Sequence, residues 1–173
     1  MSRQLLVLAA LAALAAGAAP LRGQNRTLPG GDLPHEPHDV LMALALSDLT
    51  FGTVLPGIPA SVGVFQSDRA ALFELRGGKD LPVRVEMILP TALLGSGGAL
   101  LSISFGATDA FADFSRGKPP RGVSFDPHAP LIGMLGPNGR LYVRLGGTIT
   151  PGRPQTRGPY SASIFLTVYD IST

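Results

Sequence analysis

The chain has 173 residues, a formal charge of +2, no cysteine and no tryptophan. Its charge rests on 12 arginines scattered without a run of like charges, which excludes the clustered basic patch of a nucleic-acid surface. The lack of cysteine excludes disulfides, a thiol nucleophile, a thiolate metal site and a lipidated cysteine.

The first residues have the build of a secretory signal peptide. Arg3 supplies the positive start, Leu5 to Leu14 is unbroken apolar sequence, and Ala16-Gly17-Ala18 fits the small-x-small cleavage rule. The charge-free run ends at Ala19, short of the roughly 18–20 residues a spanning helix needs. Residues 1–18 are therefore expected to be removed on export, which leaves no membrane segment. The remainder is long enough to bury roughly two-thirds of its unfolded surface in one core. Residues 19–39, "APLRGQNRTLPGGDLPHEPHD", are rich in Pro and Gly and have no apolar period, and are expected to form a flexible arm.

Order is expected from Val40 to the end, at residue 173. In "VLMALALSDLTFGTV", Val40, Met42, Leu44 and Leu46 alternate at period 2. "SVGVFQ" (61–66) is a short strand, and "AALFELR" (70–76) sets Phe73 and Leu75 against Glu74 and Arg76. "LPVRVEMILP" turns Leu81, Val83, Val85, Met87 and Leu89 inward, with Pro82 at a strand start or edge. "ALLSISFGA" opposes Leu101, Ile103 and Phe105 to Ser102 and Ser104. The stretch from Thr108 to Pro130 reads as irregular around a short "VSFD". Pro137-Asn138-Gly139 is a hairpin-like turn into a strand with Leu141, Val143 and Leu145 inside and Arg140, Tyr142 and Arg144 outside. Gly146-Gly147 marks a bulge or a close backbone approach. The last strand carries Tyr160, Ala162, Ile164, Leu166 and Val168 on one face. The 22 glycines and 16 prolines fall mostly between these runs, where turns belong. The expected fold is all-β: a two-sheet antiparallel, immunoglobulin-like sandwich of about seven or eight strands.

Several of these segments, in this order, resemble a bacterial secreted family named domain of unknown function 4402. The resemblance rests on Leu49, Phe51 and Gly52 in "LTFG", Leu89-Pro90 ending a central strand, Gly146-Gly147 in a late strand, and Gly158, Tyr160, Val168 and Tyr169 in the closing "GPYSASIFLTVYDI". It spans roughly residues 40–173. That family is similar in pattern to spore-coat-U-like and archaic fimbrial subunits, so the resemblance implies a pilin-like sandwich and a surface or fimbria-like structural domain with no catalytic residues. It also implies strand exchange with identical subunits or a periplasmic chaperone, through β-strand addition. The polar, Pro-rich residues 19–39 lack the alternation a donor strand needs, and Val40–Leu46 serves either as the domain's own first strand or as a donor.

Candidate sites are sparse. His35 and His38, beside Glu36 and Asp39, could join a zinc or copper site, with only His128 in view as a third ligand, and Pro37 prevents the helix that would align the rings. Ser115 and Lys118 have an S-x-x-K spacing, but Gly117 and Pro119-Pro120 disrupt the helix start it works on. Asp109 and Asp113 are too few for a calcium site, and Phe111 and Phe114 are expected to pack inward there. Asn25 in "NRT" matches a glycosylation rule that has no bearing in a bacterium. No nucleophile, base and oxyanion donors converge, and no cofactor pattern appears, so no enzyme is expected. The expected product is an exported, fimbrial-subunit-like structural or adhesive domain of the periplasm, outer surface or medium. The alternative is a self-complete monomeric secreted binding module.

Overall fold

The computed structural model describes residues 40–114 and 121–172. The expected leader and arm, with His35 and His38, and the Ser115–Lys118 pair lie outside the described residues. Within them the chain is all-β and every ladder is antiparallel.

The strands are β1 (Met42–Ser47), β2 (Ala60–Val62), β3 (Ala71–Arg76), β4 (Pro82–Ile88), β5 (Ala92–Gly95), β6 (Leu100–Ser104) and β7 (Ala110–Asp113). They continue with β8 (Gly122–Phe125), β9 (Leu131–Met134), β10 (Arg140–Leu145), β11 (Gly147–Thr150), β12 (Tyr160–Ser161) and β13 (Phe165–Asp170). They assemble as β1-β3-β10-β7-β8, as β12-β5-β6-β11-β2 and as β13-β4-β9. These thirteen segments exceed the seven or eight strands expected, in part because long strands are cut where they change sheet and in part because short strands lie in stretches read as irregular. β4 gives way to β5 at Pro90, β10 to β11 at Gly146, and β12 to β13 across residues 162–164.

All three sheets feed one core. Phe73 and Leu75 of β3 lie opposite Val143 and Leu141 of β10, and Val168 of β13 lies opposite Val85 of β4. Leu101 and Ile103 of β6 and Ile149 of β11 complete the cluster. Leu75, Val83, Val143 and Leu145 are fully buried, each contributing roughly 1.5–3 kcal/mol relative to exposure. The inward alternations expected for residues 81–89, 101–105 and 141–145 are those observed, with Leu81, Met87 and Leu89 partly buried at the core margin.

Four details depart from expectation. In β1 the register pairs Ala43 with Leu75 and Ala45 with Phe73, so the small residues face inward. The larger Val40, Met42 and Leu46 are exposed, because the partner strand's register outranks a weak preference on a half-apolar segment. The stretch from 108 to 130 is not irregular throughout: it holds β7 and β8, paired with each other. There Phe111 and Asp113 are buried while Phe114 is exposed. The Pro137–Gly139 turn forms, with Gly139 at φ 68°, but it joins β9 and β10 of different sheets rather than a hairpin. Finally, Tyr142 and Glu74 lie on the face away from the core, yet both are buried.

Gly146 is the corner where the chain leaves one sheet for the next. Its N–H donates to the Asp109 carbonyl at 2.8 Å. A Cβ there would sit 2.3 Å from the Val62 carbonyl oxygen, inside any tolerable contact. Gly146→Ala must therefore move backbone, and chemical unfolding should show a loss of about 2–3 kcal/mol. Gly133→Ala, where an added Cβ meets nothing within 4 Å, should change stability by less than about 0.5 kcal/mol.

Candidate functional site: a groove beside two unpaired strand edges

Among the described residues β1 pairs only with β3, and β13 only with β4, so each ends its sheet. Between them lies a groove of about 1080 Å³. One wall is β1, through Ala43, Ala45 and Ser47, followed by the loop from Asp48 to Pro56. The other is the segment from Gln155 to Leu166. The floor is apolar: Phe73, Leu93, Leu101, Ile103 and Ile149. Small side chains on β1 leave the groove room, since the two positions registered against core Leu75 and Phe73 carry Ala43 and Ala45.

Both rims are held firmly. After β1 the chain turns at Gly52, whose φ of 68° is unfavourable for a residue with a Cβ. The Arg69 guanidinium donates to the carbonyls of Thr50 (3.3 Å) and Phe51, and the Thr50 N–H donates back to the Arg69 carbonyl at 2.8 Å. This fixes Phe51 in the core and Leu49 at its margin. On the opposite rim, the Tyr160 hydroxyl donates to the Thr156 carbonyl at 2.7 Å and accepts from Gln155 Nε2 at 2.7 Å. Gln155 also donates to the Leu100 carbonyl and accepts from the Gly152 N–H, both at 3.0 Å. The Tyr160 ring lies on Gly95, where a Cβ would come within 2.6 Å of it. A tyrosine hydroxyl bonded to backbone a few residues upstream locks a loop against a sheet end.

The residues singled out in the sequence divide between the groove, the sheet corner, the core and an outer face. Leu49, Phe51, Gly52, Gly158 and Tyr160 all line the groove. Gly146 and Gly147 form the sheet corner, Gly147 closing on the Phe105 ring. Val168 packs in the core from β13, and Tyr169, its neighbour, takes the opposite face beside Arg84. Sequence reasoning missed Ala43, Ala45, Leu93 and Ile149 as lining, because small or ordinary aliphatic residues carry no motif. It also missed Arg69 and Gln155. The one available signal was that each lies in or beside a turn-rich loop.

A polar cluster sits on the other side of β3 and β10. Glu74 accepts from Arg76 at 2.7 Å, Arg140 at 2.9 Å and the Tyr142 hydroxyl at 3.1 Å. The Arg76 hydrogen bond above all, aided by Tyr142 and both guanidinium charges, holds the Glu74 carboxyl below its ordinary value against the opposing effect of burial. Each bond is satisfied within the sheet, so the cluster braces β3 against β10. His128 lies apart, exposed, with its ring 3.0 Å from Asp126. The His128 backbone N–H, then its ring, keep the Asp126 carboxyl below its usual value. Among the described residues no three His, Asp or Glu gather to hold a metal, and no helix is long and apolar enough to cross a membrane.

Two tests follow. Tyr160→Phe deletes two hydrogen bonds and should lower stability by about 1–2 kcal/mol in denaturant titration. Glu74→Gln should lower it by about 2 kcal/mol at neutral pH, since Arg76 and Arg140 are half-exposed and can rehydrate. The folded carboxyl titrates below the unfolded one, so its contribution is complete above about pH 4.3 and is lost as pH falls through the lower folded value. The gap between native and variant stability should therefore close in acid, and parallel pH profiles would contradict this assignment.

No family model, no curated protein and no solved structure matches this chain, so the functional assignment rests on the geometry of the groove.

Proposed function

We propose that these sheets form a pilin-like, immunoglobulin-like β-sandwich one strand short of closure, and that the groove receives an extended strand from another polypeptide. The protein is then an exported bacterial surface subunit, structural or adhesive in role and without catalytic function. The observation that carries this is the apolar groove between β1 and β13, floored by core side chains and running beside two strand edges that have no ladder partner among the described residues. A strand entering there would gain main-chain hydrogen bonds at the edges and place alternate side chains on Phe73, Leu101, Ile103 and Ile149. The export signature of residues 1–18 and the resemblance of residues 40–173 to secreted surface domains agree with it.

β1 and β13 come within 8 Å, Cα to Cα, along part of their course. An intervening strand needs about 9.6 Å, two ladder spacings, so docking has to part them there. β1 can yield because, among the described residues, its one ladder is to β3 and its register already breaks between Ala45 and Ser47. The same closeness, and the pairing of β1 within its own chain, favour the second reading, a self-complete monomeric binding module.

An eight-residue peptide alternating Ile or Val with Thr or Ser separates the two. At a hundred times its dissociation constant a groove ligand adds about 2.7 kcal/mol, a melting shift of about 5–10 °C for a domain of this size. The exported protein should show that shift, and Ala45→Trp, which fills the groove from β1, should abolish it. A native protein indifferent to the peptide would favour the self-complete module.

A further inference from the structure

We infer that this chain accepts a strand from a different protein and does not supply one to its own copies from residues 19–46. The inference rests on the groove function proposed above and names the source of the occupant.

The groove sets the requirement. β13 is six residues long, about 20 Å, so a matching strand presents three side chains to the floor at every second position. Those side chains must be large, because Ala43, Ala45 and Ser47 leave the space unfilled from the β1 side. The strand must also offer backbone N–H groups to a free edge, which proline cannot do.

Residues 19–39 fail each condition. Reach is not the limit, since 21 extended residues span up to about 70 Å. Their bulky apolar residues are Leu21, Leu28 and Leu33. The steps between them, seven and five, are odd, so consecutive leucines fall on opposite faces of an extended chain. Each also adjoins a proline, Pro20, Pro29 or Pro34. The next segment does alternate, but it is β1, and its removal would bare Phe73 and Leu75, against which Ala45 and Ala43 are registered. The occupant is therefore a segment of another protein: six or more residues, aliphatic at alternate positions, polar between them, and free of proline.

The test compares two synthetic peptides on the exported protein, one with the sequence of residues 19–39 and one the eight-residue Ile/Val–Thr/Ser alternation. Affinities come from fluorescence anisotropy, and the mass of the protein, with and without residues 19–39, from native mass spectrometry. The alternating peptide should bind at least about tenfold more tightly than the arm peptide, and removing residues 19–39 should leave the oligomeric state unchanged. If the arm peptide binds within tenfold of the other, or if removing the arm dissolves a self-assembly, the heterologous source is wrong and the groove function stands. If neither peptide binds, both are wrong.

Discussion

The apolar inner faces must be kept from water on every side, and between β1 and β13 they meet a groove across which the described chain lays no paired strand. In the middle of the sheets the demand is met: Leu75, Val83, Val143 and Leu145 are fully buried. At β1 the residues registered against core Leu75 and Phe73 shrink to Ala43 and Ala45, on an edge where no further strand pairs among the described residues. Apolar groove and free edge arise together there, and each aggravates the other, since an unpaired edge beside apolar surface is a template for another strand.

A groove of this kind persists only if its walls cannot collapse inward. Arg69 ties the turn after β1, and the Tyr160–Gln155 bonds tie the loop before β13. Across the molecule Glu74, Arg76, Arg140 and Tyr142 brace β3 against β10, the strand pair on which β1 leans. Gly146 lets the chain turn from one sheet to the next at a contact no side chain would permit. The polar network and the glycine corner hold the frame around an opening that hydrophobic packing alone would tend to close.

The strand cores could be read from the sequence because period-2 alternation with large residues is unambiguous in "LPVRVEMILP" and "RLYVRL". β1 could not, since "VLMALAL" is apolar at every position and only its register with β3 decides which face turns inward. Glu74 and Tyr142 occupy outer-face positions, as their pattern says, but alternation does not report whether an outer face is covered. The segment from 108 to 130 hid two strands because four-residue strands such as "AFAD" fall below the length at which alternation can be told from chance. Of the groove, Leu49, Phe51, Gly52, Gly158 and Tyr160 were visible as motif residues. The void itself was not, being made by small side chains that attract no notice.

The central claim is that β1 and β13 are open edges flanking an apolar groove. Amide hydrogen exchange on the isolated exported protein measures this directly. The amides of β1 and β13 that point away from β3 and β4 should exchange orders of magnitude faster than those of β3, β4 and β10. Protection of those edge amides equal to that of the central strands would mean that the edges are paired and the groove is closed, which would contradict it.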